Sequence, residues 1–314
     1  NDNVGNGTSG NPYKTFHKAY TQAENDYVID LTGTFDWTNA AETGDAKYTG
    51  YSIAKDLTIR GQGSDATIIQ AASADNIADR RIFTIAANTT VTIQDLAIRY
   101  GKIDDRTGTA LNNEGGGILN LGTVTVNDCE IYNNRVPTGY GGGGLSNRHL
   151  MTINDSAIYN NIAYYMGGGV LNSYTVSASG YLTITNSTIY SNQVTQVIAY
   201  TEGGGVHFRK GNGTITNTTV TKNTACGVAG VGMDDANGTV KLKNNIFAGN
   251  LQKVHSYCSN GAYPKGFDFR QSGYGNVVDG GNNIIGGYAQ NYNFTVSTDW
   301  TDTDRDGTFT KYGT

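Results

Sequence analysis

Gly142-Gly143-Gly144-Leu145, followed by Thr152-Ile153-Asn154-Asp155-Ser156-Ala157-Ile158-Tyr159-Asn160-Asn161, is the stretch that decides the fold. Its glycine run closed by an aliphatic residue recurs as Gly115-Gly116-Gly117-Ile118, Gly167-Gly168-Gly169-Val170 and Gly203-Gly204-Gly205-Val206. A degenerate copy is Gly230-Val231-Gly232-Met233, and the aliphatic steps are 27, 25, 36 and 27 residues. Its second part recurs as Thr125-Val126-Asn127-Asp128-Cys129-Glu130-Ile131-Tyr132-Asn133-Asn134 and as Thr183-Ile184-Thr185-Asn186-Ser187-Thr188-Ile189-Tyr190-Ser191-Asn192. Weaker copies end at Ile98, Val220 and Ile246, so that the steps from Ile98 onward are 33, 27, 31, 31 and 26.

Each unit holds three short alternating runs and no helical stripe. A strand cannot bury its apolar side alone, but stacked units can, each inward Ile resting on the next at a strand spacing of about 4.8 Å. That arrangement is a parallel β-solenoid. A barrel or propeller would show hairpin turn pairs and larger blades. Glycine and asparagine at the corners suit left-handed backbone.

The Gly-Gly-Gly-Ile/Val, Thr-Ile-Thr-Asn-Ser and Ile-Tyr-x-Asn sequences resemble the repeats of secreted bacterial right-handed parallel β-helices, which share the pectate-lyase-like fold. They are most similar to the glycine-rich surface type of polymorphic outer-membrane proteins and autotransporter passengers, over roughly residues 50 to 290. The resemblance implies an all-β, single-stranded right-handed parallel β-helix, and it leaves function open, because this fold hosts many tasks.

The expected organisation is a cap and first strands in 1–50, a β-helix in 51–290 with a lateral loop at 251–275, and a tail with an acidic turn in 291–314. Phe16, Ala19, Tyr20 and Ala23 fall at helical spacing, giving a short amphipathic cap, and Tyr27–Leu31 reads as a strand. Capping matters because open solenoid edges invite aggregation.

Composition narrows the task. The 314 residues carry 22 Lys and Arg against 27 Asp and Glu, a net charge of −5, with 43 Gly, 21 Tyr and 3 Pro. No basic cluster points to nucleic acid. No apolar run reaches the roughly 20 residues of a membrane helix. An Asn/Thr surface and a start at Asn1-Asp2 without Met read as a mature or trimmed secreted chain, extracellular or at a cell surface. Of three cysteines, Cys129 reads as a buried apolar residue, and Cys226 with Cys258 can staple an insertion, although spacing does not fix connectivity.

Candidate sites follow from stacking. Asn120, Asn147 and Asn172 form one predicted ladder, and Asn134, Asn161, Asn192 and Asn223 another. Tyr132, Tyr159 and Tyr190 form an outward row, either plain cross-strand pairing or a platform for sugars or a protein. Residues that depart from the repeat are Arg148, His149, His207, Arg209, Lys210, Asp234 and Asp235. Cations beside carboxylates suit an acidic-polysaccharide lyase or hydrolase, yet ion pairing alone also explains them. Asp302, Asp304 and Asp306 resemble a calcium loop lacking its bidentate Glu, the alternative being a solvated acidic turn; no other cofactor is expected.

Since no complete catalytic set occurs, the leading expectation is a non-catalytic structural or adhesive rod. It would assemble with itself into a matrix, sheath or filament. The alternatives are a polysaccharide lyase or glycoside hydrolase, and a glycan-binding module, both with extracellular polysaccharide as partner.

Overall fold

A computed structural model describes residues 5–38, 42, 49–104, 113–173, 180–197, 201–234, 238–252, 258, 267–271, 276–286, 288–290, 300–301 and 310–311. The chain is a parallel β-solenoid whose strands, among the described residues, stack into four sheets of nine, eleven, nine and five members. One coil shows the plan. Ile118–Asn120 belongs to the third sheet, Thr123–Asn127 to the first, Glu130–Tyr132 to the second and Arg135–Val136 to the narrow fourth.

Alternation decides which side chains enter the bore. Ile131 lies in register with Ile158, that with Ile189, and that with Val220, and all four are fully buried. Val126, Ile153, Ile184 and Ile215 form the matching column of the first sheet. These columns are the core.

The corners need backbone that L-residues adopt with difficulty. Asp128, Asp155, Asn186, Asn217 and Asn244 turn with φ of 49–56° between the first and second sheets. Asn and Asp tolerate this region because their side chains bond locally. The first glycine of each run, Gly115, Gly142, Gly167 and Gly203, has φ of 63–66° and makes the entry to the third sheet.

Asparagine ladders run inside two other corners. Asn134, Asn161, Asn192 and Asn223 each donate Nδ2 to the Oδ1 of the next member, at 3.0, 3.0, 2.9 and 2.8 Å, the last to Asn250. Their backbone N–H groups reach the same oxygens. Asn120 and Asn147 bond likewise to Asn147 and Asn172, at 2.8 Å each. Both predicted ladders are therefore present, the longer one extended by Asn250.

The cap also matches expectation. The helix Phe16–Gln22 is N-capped by Thr15, and Phe16 is fully buried. Its Tyr20 hydroxyl donates to Ser52 O and accepts from Ala54 N–H, both at 3.0 Å. That phenol satisfies the edge of the strand Tyr51–Ile53 as a neighbouring strand would.

Three details differ from the sequence reading. Phe247, not Ile246, lies in register with Val220; Phe247 is buried while Ile246 is 44% exposed. Two adjacent apolar residues leave the period of two ambiguous, and the left-handed turn at Asn244 settles it. Val231, not Met233, aligns with Val206, and Met233 instead follows Phe208 in the column of Asn120, Asn147 and Asn172. The span 251–275 also supplies two rungs, Leu251–Gln252 and Phe267–Gln271.

Candidate functional site

In the coils from Thr90 to Ala225, the corners on either side of the second sheet have constant length. Two residues separate Asn127 from Glu130, Asn154 from Ala157 and Thr185 from Thr188, and two separate Tyr132 from Arg135, Tyr159 from Ile162 and Tyr190 from Gln193. Length varies beside the third sheet: Val136 to Leu145, Ala163 to Val170 and Val194 to Val206 all differ. In these coils the insertions thus flank the third sheet, and the candidate site lies there.

On this side the outward column of the third sheet runs Leu119, Ser146, Leu171, His207, Gly232, Arg270, and all are buried. Residues just before the glycine runs stack over it, Glu114 bridging to Gly141, Gly141 to Met166 and Met166 to Glu202. The two carboxylates of this row each hold a guanidinium. Glu114 accepts from Arg148 Nη2 and Nε at 2.8 and 2.9 Å and from Ser146 Oγ at 2.8 Å. Glu202 pairs with Arg270. Arg148, a candidate for chemistry in the sequence, is therefore one half of a buried ion pair.

Beside the Glu202–Arg270 pair opens a cleft of about 690 Å³, lined by Tyr140, Tyr164, Tyr165, Arg209, Asp234, Glu202 and Arg270. The Arg209 guanidinium sits 4.4 Å from the centre of the Tyr140 ring, which meets Tyr165 edge-on at 6.0 Å. Burial raises the pKa of the Tyr165 phenol, with Tyr140 adding to the shift and Arg209 opposing it. Burial likewise raises Glu202 above its usual range, against the pull of Arg270. Glu202 Oε2 makes no hydrogen bond.

His207 is fully buried behind this wall, its Nε2 3.3 Å from Asp234 Oδ1. Of the predicted cluster, the structure thus brings together His207, Arg209 and Asp234. Lys210 is exposed and is not part of the cleft lining. His149 faces the Gly122 carbonyl at 3.2 Å. Asp235 lies outside the described residues, as do Asp302, Asp304 and Asp306. Among the described residues no three His, Cys, Asp or Glu side chains are grouped to hold a metal, and no helix is long and apolar enough to cross a membrane.

Sequence reasoning missed Tyr140, Tyr164, Tyr165, Glu202 and Arg270. The signal was the position just before each glycine run, together with the long step from Val170 to Val206.

The outward tyrosines stack as predicted, Tyr132 on Tyr159 at 4.8 Å and Tyr159 on Tyr190 at 4.9 Å, with planes 5° and 11° apart. Arg99 donates to the Tyr132 hydroxyl at 2.9 Å, and Tyr159 donates to Glu130 Oε2 at 2.7 Å. The rings cover one another's faces, so this row presents edges and hydroxyls rather than flat surfaces. Cys226 and Cys258 are disulfide-bonded, and Cys129 is a buried free thiol.

A family model described as a domain of unknown function, DUF4957, matches residues 46–192. No curated protein matches the chain. Among solved structures it is similar to the mannuronan C-5 epimerase AlgE6 A-module of Azotobacter vinelandii, at 17% identity and a TM-score of 0.34 over 87% of this chain and 83% of that one. At that identity and score, no function passes from one to the other.

Proposed function

We propose that the protein binds and processes an acidic polysaccharide in the cleft beside the third sheet. The observation that carries this reading is the meeting, in one cleft, of the Arg209 guanidinium, the Asp234 and Glu202 carboxylates and three tyrosines. Each part suits the substrate. Tyrosine offers an apolar ring and a polar tip to a sugar. A guanidinium matches a uronate carboxylate in two-pronged geometry and withdraws charge from it. That withdrawal makes the proton beside the carboxylate removable, and carboxylates and phenols of the wall are the groups that can move it. The disulfide Cys226–Cys258 suits a secreted protein that meets such polymers outside the cell.

Incubation with pectate, alginate and chondroitin, following the absorbance of an unsaturated product, tests the reading together with retardation in polysaccharide gels. Turnover or retardation lost in Arg209→Ala supports it. Neither one with any of the three polymers sinks it.

The second reading is the structural or adhesive surface rod. The regular coils and the continuous ladders favour it, since they provide stiffness without chemistry. The cleft breaks that regularity on one side only, and this is why the first reading is preferred.

A further inference from the structure

His207 is unusual among the buried polar residues. It is fully buried, and neither ring nitrogen makes a hydrogen bond. Buried polar atoms are nearly always partnered, so an exception calls for a reason. The surroundings of the ring supply one.

On one side stands Gly232, in register with His207. A Cβ at Gly232 would fall 2.9 Å from Nδ1 and 3.1 Å from the Cβ of Glu202, so only glycine lets the ring pack this close. Nδ1 therefore faces a backbone carbon with no room for a water between them. An acceptor nitrogen tolerates that position better than an N–H, whose burial without an acceptor is costly. On the other side Nε2 lies 3.3 Å from Asp234 Oδ1, and Asp234 lines the cleft. The other charged groups on this side are Glu202 and its partner Arg270, with Arg209 in the lining of the same cleft.

We infer that His207 is a positioning residue: held by Gly232 with its proton on Nε2, it donates to Asp234 Oδ1 and fixes that carboxylate toward the cleft. The contact is longer and less aligned than a settled hydrogen bond. Such contacts are often loose in an empty site and tighten when substrate closes it. No group is transferred in this role; the histidine keeps its proton and orients the carboxylate that meets the substrate. The inference rests on the polysaccharide reading for the use of the carboxylate, but the tautomer does not depend on it.

Two experiments separate the two. In a long-range 1H–15N correlation spectrum of the full chain at neutral pH, with the His207 signals identified by their loss in His207→Leu, the proton is expected on Nε2, and the ring signals are expected to move in Asp234→Asn. A proton on Nδ1, or ring signals indifferent to Asp234→Asn, would overturn the inference whether or not a substrate is found. On a polysaccharide that is turned over, His207→Leu is expected to lower kcat about 10- to 100-fold with KM little changed. His207→Gln, which can still present an N–H to Asp234, recovers most of that loss. Equal kcat in wild type and His207→Leu overturns the positioning role. A panel without turnover counts against the substrate class alone.

Discussion

Asn250 donates both its backbone N–H and its Nδ2 to one oxygen of Asp268, at 2.7 and 2.6 Å. Asp268 stands where the ladder Asn134–Asn161–Asn192–Asn223–Asn250 would place its next amide. A carboxylate has no N–H to hand to a further coil and can accept twice, so it suits the last rung as asparagine suits the interior.

The ladder predicts unequal costs for similar substitutions. Asn192→Ala would leave the Asn161 N–H and one of its two Nδ2 hydrogens without their acceptor and the Ile158 carbonyl without its Nδ2 donor, while Asn223 Oδ1 would keep the backbone N–H of residue 192. The expected loss is about 3 kcal/mol or more in urea denaturation, since orphaned buried groups cost roughly 1–3 kcal/mol each. Asn217→Ala, in an exposed ladder bonded to Asn186 and Asn244, is expected to cost about 1–2 kcal/mol, chiefly because alanine fits the left-handed corner poorly.

The two tyrosine groups are expected to separate by assay. Tyr159→Ala breaks the stack and the bond to Glu130, lowering stability by about 1–2 kcal/mol, and leaves polysaccharide retardation unchanged. Tyr140→Ala removes the ring under Arg209 and is expected to weaken retardation with little loss of stability.

Thiol titration checks the cysteines. Burial pushes the Cys129 thiol up to about 12, so it stays protonated and out of reach in the native protein. The native chain is expected to show no reactive thiol, the unfolded chain one, and the unfolded reduced chain three. Three thiols without reductant would contradict the Cys226–Cys258 bond.

Glu202 gives a pH signature. Its pKa is raised in the fold by burial, so over the window just above the ordinary value the native state binds more protons than the unfolded one. Its contribution is therefore complete below the ordinary value and is lost as pH rises through the raised one. The stability of wild type relative to Glu202→Gln should be greater near pH 4 than near pH 7. Denaturant midpoints for both proteins at the two pH values measure this, and a difference that grows with pH would refute the assignment.

The bore was legible because it repeats. Ile131, Ile158 and Ile189 are separated by nearly constant steps, and the asparagine columns share their spacing. Ile246-Phe247 misled because both are apolar, and only the corner asparagine before them fixes which one turns inward. Met233 misled because Gly230-Val231-Gly232 mimics a glycine run shifted along the chain. The cleft was half legible. His207, Arg209 and Asp234 stand out as breaks in the pattern and Glu202 holds a countable place just before a glycine run, whereas Tyr140 and Tyr165 lie in intervals of variable length where no column can be counted.

Through the coils from Thr90 to Ala225 the length changes lie at the flanks of the third sheet, and this has a practical result. The other sides work as a ruler of fixed graduation, and a longer or foreign segment spliced in ahead of a glycine run would meet the same stiff backing. Binding loops could be grafted there, one graduation at a time, without recutting the bore.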